Sequence, residues 1–103
     1  MTPYYQVPPH FVHLGFNPGR VLSLNVNKQI ENYLDSVADD WYRYAAQNYV
    51  VWTNKDVTSL SKELTQQAGL ESLYVLATEF SRAPAHCNGM MPKKFWDWLN
   101  KPR

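Results

Sequence analysis

The spacing of apolar residues switches repeatedly between two and three-to-four along this chain, and each switch marks an element boundary. Val12, Leu14 and Phe16 alternate with their neighbours, the period of a strand with one buried face, and Pro18 and Gly19 then supply turn chemistry. From Asn25, a candidate N-cap, Val26, Ile30, Leu34 and Val37 recur at steps of four, four and three. Tyr33 lies beside that stripe and Asn27, Lys28, Glu31, Asn32 and Asp35 lie across from it, which predicts an amphipathic helix. "WYRYAAQNYVVWT" is aromatic or β-branched at both ends. It reads as two strands joined through AAQN, a hairpin without the Asn-Gly or Asp-Gly signal. Asp56 caps a second helix carrying Val57, Leu60, Leu64 and Ala68, with Gly69 where a C-cap glycine belongs. "ESLYVLATEF" sets Leu73, Val75 and Ala77 against Tyr74, Leu76 and Thr78, a strand with both faces partly covered. After an irregular stretch over 81–91, Pro92 opens a short helix over 92–100 that Pro102 stops.

The order β, α, β, β, α, β, α predicts a ferredoxin-like α+β fold: a βαββαβ unit with a four-stranded antiparallel sheet, two helices on one face and a short C-terminal helix. Right-handed crossovers put both long helices on the same side of the sheet. Pro3, Pro8 and Pro9 make residues 1–9 an extended arm, and 10–103 a single domain. In the last helix Phe95, Trp96 and Leu99 are expected to dock, with Trp98 on a flank.

Composition adds few constraints. A chain of 103 residues has room for one core, and 45% hydrophobic with 18% charged residues is ordinary for a folded domain. Ten Lys and Arg against nine Asp and Glu leave a net charge of +1, with no basic run beyond Lys93-Lys94; a dedicated duplex binder needs more phosphate contacts than that. Cys87, the single cysteine, cannot form an internal disulfide. No apolar run reaches membrane-helix length, and the N-terminus lacks the regions of a signal peptide. The expectation is a cytoplasmic protein, neither secreted nor membrane-spanning.

The hairpin "WYRYAAQNYVVWT", the helix start "DVTSLSKEL", the strand "SLYVLATEF" and the ending "GMMPKKFWDWL" together resemble a family of small bacterial and phage proteins. Their fold is related to the CRISPR-associated adaptation protein and to VapD-type toxins. The resemblance covers about residues 10–100 and implies a ferredoxin-like fold, often homodimeric, with metal-dependent cleavage of RNA or DNA in distant relatives. Those nucleases carry a metal-binding aspartate at the end of the first strand, and Gly15 stands at the matching position here. The nearest remaining side chain is Asn17, and a hard divalent cation prefers carboxylate oxygen.

Other candidate chemistry is sparse. His10 and His13 are three apart on a strand and point to opposite faces, and adjacent His86-Cys87 lack zinc-ligand spacing. Asp39 and Asp40 are the only carboxylates placed to serve a nuclease, and as adjacent residues after a helix they also read as solvated turn residues. No cofactor motif is present. What stands out is the aromatic content of 15%. Tyr42, Tyr44, Tyr49, Trp52 and Tyr74 fall on predicted strands, and with Trp98 they form the candidate binding set. Such rings suit a protein interface better than unpaired bases, since only Arg43 accompanies them. The sequence therefore predicts a non-catalytic protein-binding domain that pairs with itself through an aromatic sheet face. A metal-dependent nuclease and a phage-encoded inhibitor of a host defence protein are the alternatives.

Overall fold

The computed structural model describes residues 7–17 and 21–103. Seven elements follow in the order β1 (His10–Phe16), α1 (Leu24–Val37), β2 (Asp40–Ala45), β3 (Asn48–Thr53), α2 (Val57–Thr65), β4 (Val75–Phe80) and α3 (Lys93–Leu99). The sheet runs β2-β3-β1-β4 with every neighbouring pair antiparallel, the α+β arrangement that the element order predicts. The proline-rich arm and the Asn17-Pro18-Gly19-Arg20 turn lie largely outside the described residues. Of the arm, Val7 donates its N–H to the Asn54 carbonyl at 3.1 Å.

Alternation along each strand sorts side chains onto two faces. Val12, Leu14 and Phe16 of β1 and Tyr49 and Val51 of β3 pack with Ile30, Tyr33 and Leu34 of α1 and Leu60 and Leu64 of α2. This is the main core. The opposite face forms a second, smaller core in which Phe11 and Val50 pack with Phe95, Trp98 and Leu99 of α3. Each face thus has its own cover, and burying rings on both sides accounts for the aromatic content.

Local chemistry shifts some boundaries. The N-cap of α1 is Ser23, whose Oγ accepts from the Val26 N–H at 3.2 Å, so Asn25 lies inside the helix. A hydroxyl two residues earlier satisfies a free N–H of the first turn equally well. Asp56 caps α2 as predicted, accepting from the Ser59 N–H at 3.2 Å. The helix ends at Thr65, however, and Gly69, at φ +88°, serves the turn that follows. Pro92 is the N-cap of α3 rather than its first helical residue. β4 begins at Val75, not at Glu71, because residues 71–72 form a turn in which the Leu73 N–H bonds back to the Leu70 carbonyl at 3.2 Å.

Candidate interaction surface

The open sheet face, turned away from α1 and α2, is where the sequence places its candidate binding rings. α3 lies across one half of it. Phe95, Trp98 and Leu99 are spaced i, i+3, i+4, a single helical stripe, and all three are buried. Trp98 is therefore part of the cover, 8% exposed, and Trp96 takes the flank position expected of Trp98. Beneath them Tyr42 stands 5.6 Å from Trp98 and Tyr44 5.7 Å from Phe95, ring centre to ring centre. Phe11 meets Trp52 at 4.7 Å and Phe80 at 5.5 Å. Such tilted and offset contacts are the favoured geometries of aromatic pairs.

Two arginines pin the end of α3. Arg82 donates from Nη1 to the carbonyls of Leu99 and Lys101 at 3.0 and 2.8 Å. Arg103 donates to the Trp98 carbonyl at 2.6 Å and to Asp40 Oδ2 at 3.1 Å. Its guanidinium lies 4.6 Å from the Trp98 ring centre, within cation–π range. Lys101 adds a second ion pair to Asp40 at 3.2 Å. Burial, the largest influence on Asp40, raises its pKa, but the bonds from Arg103 and Lys101 outweigh it and the carboxyl ends below its ordinary value.

The candidate rings consequently occupy different surroundings. Tyr49 is fully buried on the helix face, where its hydroxyl donates to Glu31 Oε2 at 3.0 Å. Tyr42, Tyr44 and Trp52 are half-buried at the margin of α3. Tyr74 alone of the set is exposed, at 79%, and Leu76 beside it is 70% exposed. These two stand on β4 and its approach, at the uncovered end of the open face. Leu76 lines an open trough of about 470 Å³ together with His13, Gly15, Ala45, Ala46 and Asn48. Sequence reasoning named Tyr74 but not Leu76, since an alternating strand does not announce which of its faces a later helix will leave uncovered.

Polar groups also line this face. His13 Nε2 and the Tyr44 hydroxyl are 2.5 Å apart at a groove of about 410 Å³ that Cys87 and Trp96 also line. Burial lowers the His13 pKa and raises that of Cys87, so near neutral pH the imidazole is uncharged and the thiol protonated, the less nucleophilic form. Among the described residues no three His, Cys, Asp or Glu side chains come together to hold a metal ion. Asp40 is bonded to Arg103 and Lys101, while Asp39 is exposed. A Cβ at Gly15 would meet only ordinary contacts, 3.4 Å from Asn48 Oδ1. The position is roomy but supplies no ligand. Asn17 is committed to the fold, its Oδ1 accepting from the Tyr74 N–H at 2.6 Å. Among the described residues no helix is long and apolar enough to cross a membrane.

No family model, curated protein or solved structure matches this chain. What the geometry defines is a small α+β domain with an aromatic-rich sheet face, one half of which is closed by α3.

Proposed function

We propose that this chain is a non-catalytic protein-binding domain that associates with a second copy of itself, using the part of the open sheet face that α3 leaves uncovered. The observation that carries the reading is the exposure of Tyr74 and Leu76, 79% and 70%, on one face of the sheet, with Leu76 lining an open trough. Exposed apolar side chains grouped next to a concave surface are a feature of interaction sites, and Tyr brings large area with a polar tip. The near-neutral charge of +1 favours a protein partner over a polyanion. In this reading the rings under α3 hold the domain together, and the contact surface is displaced toward β4.

Light scattering on the eluted protein tests this. The expected result is an apparent mass that climbs with concentration from the 12.0 kDa of one chain toward twice that value. A mass fixed at one chain throughout would refute self-association.

A further inference from the structure

The two edges of the sheet are built differently. β2 carries a bulge between Arg43 and Ala45, the charges of Asp40 and Arg43, and contacts with α3. Bulges, charges and covering elements are how sheets discourage a further strand from adding. β4 is less protected: it packs against α2 on the helix face, but its outer edge carries no bulge. Its register with β1 runs from Phe80 to Val75 without a shift, it contains neither Lys nor Pro, and Glu79 is its only charge.

The parity of that edge follows from one hydrogen bond. Asn17 donates its N–H to the Tyr74 carbonyl at 3.0 Å, so Tyr74 turns its backbone groups toward β1. Successive residues of an antiparallel strand alternate in this respect. Leu76, Thr78 and Phe80 therefore bond toward β1, and the N–H and C=O groups of Val75, Ala77 and Glu79 point outward. Among the described residues no strand pairs with that side.

We infer that β4 of a second copy completes this edge, antiparallel, about a two-fold axis through Ala77. The inference rests on the proposed self-association and names its surface. In this register Ala77 faces Ala77 of the second copy, and Val75 faces its Glu79, each facing pair exchanging two N–H···O bonds. All three outward residues are thereby satisfied. On the open face Leu76 lies opposite Thr78 of the second copy, and Tyr74 opposite its Phe80, an aromatic cross-strand pair. Both helix layers stay on one side, and the sheet continues across the axis.

Symmetry suits a second copy, and charge sets its direction. A two-fold interface is self-complementary and needs no other chain. Antiparallel pairing separates the two Glu79 residues by four positions, about 14 Å at ~3.4 Å per residue, beyond the screening length of about 10 Å at 0.1 M salt. In-register parallel pairing would set the carboxylates side by side.

Residue-resolved amide exchange on the full chain, at one concentration where it is monomeric and one where it is associated, tests the inference. The amides of Val75, Ala77 and Glu79 should exchange freely in the monomer and slow by about tenfold or more on association. Those of Leu76, Thr78 and Phe80 should be protected in both. Association with the outward three unchanged would overturn edge pairing and leave self-association standing; no association at any concentration would overturn both. Ala77→Pro gives an independent arm, because it removes an outward N–H at an edge, where strands tolerate proline. A folded variant that stays monomeric is expected, and a folded variant that associates like the parent chain overturns the inference. The exchange experiment decides the matter without any variant if Ala77→Pro does not fold.

Discussion

Replacing Arg103 with alanine removes the main clasp between α3 and the sheet. The Arg103 side chain is only 7% exposed and serves three partners at once: the Asp40 carboxylate, the Trp98 carbonyl and the Trp98 ring. Hydrogen bonds involving a charged group contribute about 1.5–3 kcal/mol, and a largely desolvated cation–π contact about 1–2 kcal/mol. The sum is an upper bound, since coupled contacts do not add. It is further reduced because Asp40 keeps Lys101 and is 31% exposed, so water and a second cation take over part of the loss. The expected cost of Arg103→Ala is about 2 kcal/mol at neutral pH. Urea unfolding followed by tryptophan fluorescence measures it, with the slope unchanged and the midpoint lowered. Arg103→Lys should recover little, because a point charge cannot stack on Trp98 and donate in two directions as the planar guanidinium does. The pH dependence has a definite sign. The folded Asp40 pKa lies below its ordinary value, so its contribution is present above the unfolded pKa and is lost as pH falls through the folded one. The gap between parent and variant should therefore narrow in acid. A variant within about 0.5 kcal/mol of the parent at neutral pH, the range of an ordinary surface change, would refute the clasp.

Three other outcomes follow from the packing and the turns. Leu99→Ala empties a fully buried position in the second core and should cost about 2–5 kcal/mol in the same urea experiment. Gly69→Ala should cost about 1–2 kcal/mol, read as a lower thermal midpoint. The backbone there is at φ +88°, and a new Cβ would come 2.8 Å from the Gln29 side-chain amide; that side chain can move, but the backbone strain stays. Burial first, and then Glu63 and Glu31 respectively, raise the phenol pKa values of Tyr33 and Tyr49. In an alkaline absorbance titration both should stay protonated until the chain unfolds, and the stability they supply, complete below the unfolded pKa near 10, is lost as pH rises toward the folded values.

Much of this fold is legible locally because each long helix buries one stripe, and β1 alternates toward the main core even though both faces of the central strands are covered. The α1 stripe and the β1 alternation point to the main core, with Ile30, Leu34, Val12 and Leu14 fully buried. Terminal details are less legible. Ser23 and Asn25 are both chemically fit to cap α1, and only tertiary packing chooses between them. Trp98 illustrates a different failure: in a seven-residue helix with rings at 95, 96 and 98, two docking stripes compete, and which one wins depends on the surface below. The Arg82 and Arg103 clasps join positions far apart in the chain and leave no periodic trace. The candidate surface is hidden from sequence for the same reason. Tyr74 and Leu76 look like any alternating strand residues until strand order makes β4 an edge and α3 covers the other half of the face.

The central claim is that the domain self-associates through the β4 side of its sheet and not through the rings under α3. Sedimentation equilibrium of the parent chain and of Leu76→Lys tests it most directly, because Leu76 is 70% exposed and the substitution leaves both cores untouched. The expected result is a reversible monomer–dimer equilibrium for the parent and a single 12.0 kDa species for Leu76→Lys. A parent that remains monomeric, or a dimer that Leu76→Lys leaves intact, would contradict it.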